Sequence, residues 1–142
     1  MNDELKEVDG VSDKRSAGNG EAMKITERTF RFSVRVVNVC RFLEKQGSVS
    51  RTLASQLLRS GTSIGANVEE AQAGQSKPDF ISKMSIACKE ARETHYWLRL
   101  LIASDIVQEG KIGDLVKEAD ELVRILSTIV KSSRTSKIDL ET

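Results

Sequence analysis

The side chains that could hold a metal ion are four glutamates and one histidine: Glu69, Glu70, Glu90, Glu93 and His95. Carboxylate sites inside helical bundles use Glu-x-x-His on two helices. Here Glu93 and His95 are two residues apart, so they point to different helix faces, and the chain has a single histidine. The spacing favours glutamates that are solvated or paired with arginines and a packed histidine. It predicts neither a metal nor another cofactor.

The two cysteines, Cys40 and Cys88, lie among apolar neighbours and lack the spacing of a metal site. Cys88 and His95 are two helical turns apart, which is roughly 10 Å along the axis and too far for the hydrogen bond that activates a thiolate. We therefore predict free, buried thiols in a reducing compartment and no enzymatic activity.

A stripe of basic residues is the strongest indication of function. Lys24, Arg28, Arg31 and Arg35 follow one another at steps of four, three and four residues, so they share one helix face, which Lys45 roughly extends. Such a basic stripe can bind the phosphates of a nucleic acid backbone. The alternative is that the stripe pairs with the four glutamates named above, within its own bundle or in a neighbouring subunit.

Apolar residues at three- and four-residue steps predict the helices that carry these side chains. Helix one covers about 26–46, with Thr26 as its N-cap and Gly47 as the left-handed residue that ends it. Helix two begins within 48–50 and ends at Gly74. Its apolar stripe consists of Leu53, Leu57, Ile64, Val68 and Ala71.

Ser76 is the predicted N-cap of helix three, with Asp79 in the capping-box position and a proline in the first turn. Helix four begins after Gly110 or Gly113 and ends before the polar stretch that starts at Ser132. The first two connections are short, which forces consecutive helices to be antiparallel. The predicted fold is all-α, an antiparallel up-down-up-down four-helix bundle.

The predicted organisation is a disordered acidic N-terminal tail over residues 1–23, the bundle over 24–131 and a polar C-terminal tail over 132–142. A chain of 142 residues is one domain by length. Charged residues make up 30% of the chain, and the net charge is +1. This near balance argues against a protein whose whole surface is covered by nucleic acid or another polyanion. Since it lacks a signal peptide and an apolar run of roughly 20 residues, we predict a cytoplasmic protein without membrane contact.

Gly61 and Gly65 form a G-x-x-x-G pattern inside helix two. Glycine in a helix interior costs roughly 1 kcal/mol relative to alanine, so two of them require a reason. Close approach of a neighbouring helix is the best one. A phosphate-binding loop is the alternative, but the strand and lysine that accompany such a loop are missing.

Two helices have more apolar surface than one bundle core needs. In helix three a second track, seven residues apart, consists of Ile81, Cys88, His95 and Ile102. In helix one, Phe30, Val34 and Val37 fall away from the main stripe. The tracks belong either to a wide core face or to a contact with another subunit, since large exposed apolar patches usually mark interfaces.

Three segments resemble a known family: residues 63–67 (SIGAN), the turn at 76–80 (SKPDF), and 90–94 (EARET) followed by Trp97 and Leu98. Over about 24–131 the chain is similar to the bacterial four-helix bundle proteins encoded in intervening sequences of 23S ribosomal RNA genes. The resemblance implies a bundle that assembles into a homopentamer and has no established catalytic activity. A more distant relative is the accessory protein of diversity-generating retroelements, a strongly basic pentamer that binds a reverse transcriptase and RNA. The present chain differs from it in its nearly balanced charge.

Together these features predict a non-enzymatic homo-oligomer that binds RNA, DNA or a ribonucleoprotein through Lys24, Arg28, Arg31, Arg35 and Lys45. The competing prediction is a protein-binding scaffold, or an accessory subunit of a nucleic-acid-processing enzyme such as a reverse transcriptase, without direct nucleic-acid contact.

Overall fold

The structure, a computed structural model, describes residues 22–141 and the side chains of residues 22–136. It consists of four helices: α1 (Ile25–Glu44), α2 (Ser48–Gln72), α3 (Lys77–Ala103) and α4 (Glu109–Glu141). The described residues contain no strand. The prediction of an all-α protein with four helices is therefore confirmed. The tail predicted for residues 1–23 lies, apart from its last two residues, outside the described part of the chain.

The ends of the first three helices follow local backbone chemistry. Lys24 and not Thr26 is the N-cap of α1, because the first turn closes with a hydrogen bond from Arg28 N to Lys24 O of 2.9 Å. Gly47 has a φ of +114°, a conformation that favours glycine, but it is the N-cap of α2 and not the residue that directly follows the C-cap of α1, which is Lys45. The predicted cap of α3 is confirmed, since Ser76 Oγ accepts a hydrogen bond from the backbone N–H of Asp79.

Helix α4 is longer at both ends than predicted. It begins at Glu109, so that Gly110 and Gly113 lie inside its first turns, and it continues beyond residue 131 to Glu141. The polar residues from Ser132 onward include neither glycine nor proline, which are the residues that end helices most effectively. Polarity alone therefore did not mark the helix end.

Each helix contributes one apolar face to a common core. On α2 the predicted stripe is confirmed, because Leu57, Ile64, Val68 and Ala71 are buried and Leu53 packs partly buried against them. Full burial of a leucine or isoleucine side chain stabilises a fold by about 1.5–3 kcal/mol, so this face holds α2 in place. The largest fully buried side chains of the other helices include Phe32, Leu43, Met84, Leu98, Leu101, Leu122 and Leu126.

Each helix packs along its successor in sequence, whereas α1 and α4 share a smaller contact. Polar groups join the consecutive pairs inside the core. Cys40 Sγ donates to Ala54 O at 3.4 Å between α1 and α2, and Thr94 Oγ1 lies 2.9 Å from Ser60 Oγ between α2 and α3. These bonds satisfy side chains that burial would otherwise penalise.

None of the helices in the described residues is long and apolar enough to cross a membrane.

Candidate functional site

The basic stripe of α1 is in large part neutralised within the chain. Arg28 donates from Nε to Glu118 Oε2 at 3.0 Å and from Nη2 to Glu118 Oε1 at 2.5 Å, and it also pairs with Glu121. Hydrogen bonding to Glu118 raises the pKa of Arg28, although partial burial opposes the shift. Arg28 thus joins α1 to α4 across the smaller of the helix contacts.

The other members of the stripe lie in different environments. Arg31 Nη2 is 2.8 Å from Glu27 Oε1, one turn earlier on the same helix. Arg35 is only 8% exposed. Lys24 and Lys45 are exposed. Three of the five residues predicted to bind phosphate lie in α1 and the other two, Lys24 and Lys45, cap its ends, but the structure does not present them as one open cationic surface.

Three of the four glutamates suggested as partners of this stripe pair with other residues. Arg59 of α2 pairs with Glu90, at 3.3 Å from Nη1 to Oε2, and with Glu93 of α3. Lys83 Nζ lies 2.9 Å from Glu70 Oε2. The alternative prediction, that the stripe pairs with these glutamates within its own chain, is wrong for Arg28. The helix that faces Arg28 is α4 and not α2 or α3.

Gly61 and Gly65 lie where α1 crosses α2. A Cβ added at Gly61 would be 2.7 Å from Val36 Cγ1 and 2.8 Å from Val36 Cγ2. A Cβ at Gly65 would be 3.3 Å from both Ser33 Oγ and the backbone oxygen of Thr29. Neither contact leaves room for a larger side chain, so these two positions set how closely the two helices approach.

The two extra apolar tracks differ in the structure. On α3, Cys88 is buried, and Ile81 and Ile102 pack partly buried against the core, so this track is a wide core face. On α1, Phe30 is 62% exposed. Val34 and Val37, on the same side of α1, are half-buried. We call Phe30, Val34 and Val37 the apolar stripe of α1.

A second cationic surface, which the sequence reasoning missed, lies across α3 and α4. We call it the basic face, and it consists of Arg92, Arg99, Lys117, Arg124, Lys131 and Arg134, all of them exposed. Helices α3 and α4 pack together where Cys88 Sγ donates to Val123 O at 3.7 Å. The two rows meet beside this contact, because Asp120, the partner of Arg124, and Arg99 both act on the charge of His95. Apart from Arg134, the residues of each row are seven apart, but the two rows belong to two helices. Only the packing of α3 on α4 brings them together.

Polar contacts at the centre of the basic face involve Asp120 and His95. Arg124 Nη2 lies 3.0 Å from Asp120 Oδ2. Burial lowers the pKa of His95, with the nearby charge of Arg99 acting in the same direction and Asp120 in the opposite one. His95 is consequently neutral near pH 7, and the charge of the face comes from its arginines and lysines.

Both cysteines are free and buried. Burial raises the pKa of the Cys40 thiol to about 12, with the negative charge of Glu44 as a smaller cause. Since the thiolate is the reactive form, we expect Cys40 to resist thiol reagents at mildly alkaline pH in the folded protein and to react after unfolding in denaturant. Mass spectrometry of the labelled peptides measures this. Modification of Cys40 in the folded protein at the rate of the unfolded one would contradict the assigned burial.

Among the described residues, no three His, Cys, Asp or Glu side chains form a group that could hold a metal ion.

Comparison with known proteins identifies relatives over most of the bundle. Residues 21–128 match the family described as 23S rRNA-intervening sequence protein. The chain is also similar to a crystal structure from Bacteroides thetaiotaomicron VPI-5482, of a protein with unknown function from the S23 ribosomal protein family. The two share 41% sequence identity with a TM-score of 0.70, over 76% of this chain and 99% of that one. No curated protein matches the chain. The family match spans more than half of the sequence, so this chain belongs to the 23S rRNA-intervening sequence protein family.

Proposed function

We propose that this chain is a non-enzymatic, homo-oligomeric four-helix bundle that assembles through the apolar stripe of α1. The observation that carries the proposal is the exposure of Phe30, a large apolar side chain in line with Val34 and Val37. An exposed apolar stripe on a helix that is otherwise packed is typical of an interface. Leu58 of α2, which is 41% exposed, adds to the apolar area outside the core.

Within the bundle we propose the up-down-up-down arrangement. The order of contacts supports it: Cys40, near the end of α1, meets Ala54, near the start of α2, whereas Thr29, near the start of α1, lies against Gly65. The same reversal relates α2 to α3 through the pairs Ser60–Thr94 and Glu70–Lys83. For the number of subunits we propose five, which is the assembly implied by the family resemblance.

The double substitution Phe30→Glu and Val34→Glu tests the assembly surface. We expect it to convert the oligomer into monomers while the helix content stays near that of the parent, because the charges would be desolvated in the interface but not on the free surface. Light scattering gives the molar mass, and far-ultraviolet circular dichroism gives the helix content.

Phe30→Leu is the matched control, since it keeps an apolar side chain at the same position and should keep the oligomer. A doubly substituted protein with the molar mass of the parent would show that the apolar stripe of α1 is not the interface.

We propose further that the assembly binds nucleic acid, free or in a ribonucleoprotein, by contacting the phosphate backbone of the nucleic acid. Belonging to a family named for an intervening sequence of 23S rRNA supports this direction. Of the α1 residues considered for this role, Lys24 and Lys45 are the exposed ones. The competing function is a protein-binding scaffold or accessory subunit. Binding of the purified chain to RNA or DNA that weakens steeply with added salt favours the first, because phosphate contacts release counterions.

A further inference from the structure

The basic face is large enough to contact several phosphates along the backbone of a nucleic acid. Arg92 and Arg99 are seven residues apart on α3, and Lys117, Arg124 and Lys131 repeat the same step on α4. Seven residues correspond to roughly 10 Å along a helix. Packed helix axes lie about 8–10 Å apart, so the two rows form a cationic strip two helices wide and several turns long.

Carboxylates neutralise little of this strip. Asp120 pairs with Arg124. Of the carboxylates one turn from Lys117, Glu121 pairs with Arg28 of α1, and Asp114 makes no ion pair within the described residues. Within the described residues, Arg92, Arg99, Lys117, Lys131 and Arg134 have no ion pair with the chain. The net charge of the whole chain is only +1, so the excess on this strip is offset by carboxylates elsewhere. The protein is polarised, although it is nearly neutral in total.

The charges of the α1 basic stripe are used differently. Arg28 is held by two glutamates of α4 and Arg31 by Glu27, whereas the cations of the basic face point to solvent. Holding like charges side by side without partners costs stability, and an anionic ligand removes that cost. The basic face also lies on α3 and α4, away from the apolar stripe of α1 proposed for assembly.

We propose that the basic face binds the phosphate backbone of nucleic acid, independently of base sequence. This inference rests on the proposed nucleic-acid binding of the assembly and assigns it a site. Arginine and lysine contacts to phosphates position a nucleic acid but carry no sequence information. Tyr96, which is 50% exposed, stands between Arg92 and Arg99 on α3, and stacking on a single ring tolerates every base.

The variant that tests this site is Arg99→Gln with Lys117→Gln and Lys131→Gln, which removes three exposed charges and keeps helix propensity. We expect at least about tenfold weaker binding to a short RNA duplex and to a DNA duplex at low salt, and a salt slope smaller by about one unit for each lost phosphate contact. Fluorescence anisotropy at a series of salt concentrations measures both quantities. Circular dichroism and light scattering verify that fold and assembly are unchanged.

The matched control is Arg41→Gln with Arg51→Gln and Lys111→Gln, which removes the same charge outside the basic face and outside the α1 basic stripe, and is expected to bind nearly as the parent does. If the parent binds but the basic-face variant binds equally well, the site assignment is overturned while nucleic-acid binding stands. Equal losses in both variants overturn it too, since net charge alone would then explain binding. A parent that binds neither duplex at low salt, or binds anionic lipid vesicles and no duplex, overturns the proposed nucleic-acid function together with this site.

Discussion

Replacing Gly61 with alanine is expected to lower the free energy of unfolding by about 1–3 kcal/mol through overpacking, although alanine is the better helix former by about 1 kcal/mol. The new Cβ would stand 2.7 Å from Val36 Cγ1. Val36 is fully buried, and a β-branched side chain in a helix has one strongly preferred rotamer, so it cannot turn away. Gly65→Leu should cost a similar amount, because the backbone of Thr29 leaves no space for the side chain. Urea denaturation at matched protein concentration measures both effects.

Gly113→Ala is the control for this prediction. Gly113 lies inside α4, and the nearest atom to an added Cβ would be Glu109 Cγ at 3.7 Å, an ordinary contact. We expect this variant to be more stable than the parent by about 0.5–1 kcal/mol, the gain in helix propensity. If Gly61→Ala were stabilising to the same degree, close packing would not be the reason for the glycine.

Leu57→Ala is expected to destabilise the protein by about 2–5 kcal/mol, the usual cost of removing a buried leucine side chain. Leu57 has no exposed surface and packs at the centre of the α2 face. The loss combines the transfer free energy of the removed Cγ and Cδ atoms with the free-energy cost of the cavity that remains. Thermal and urea unfolding followed by circular dichroism give the change.

The adjacent residue provides the comparison, because Leu58→Ala makes the same substitution at a side chain that is 41% exposed. Its cost should be below about 1 kcal/mol, in the range of surface substitutions with partial burial. Equal losses at both positions would mean that the core face of α2 is rotated from the one described.

The parts of the fold that depend on a single helix could be predicted from the sequence. The stripe around Leu57 and the cap at Ser76 were both predicted, because periodicity and capping chemistry act within a few residues. The end of α4 was placed too early, since polar residues such as Ser132 and Thr135 remain compatible with a helix when nothing breaks it.

Features that depend on which helices face each other could not be predicted. The partners of Arg28 are Glu118 and Glu121, about ninety residues later in sequence, and only the contact of α1 with α4 selects them. The basic face was missed for the same reason. Arg99 and Lys117 belong to separate helices, and each row alone has the pattern of an ordinary solvated surface.

Self-assembly is the central property proposed for this protein, and light scattering of the parent chain at micromolar concentration tests it. One chain has a mass of 15.7 kDa. We expect a single species of about five times that mass, the homopentamer, which remains assembled on moderate dilution because apolar contacts hold it together. A stable monomer at this concentration would contradict the proposal that the exposed stripe around Phe30 joins subunits.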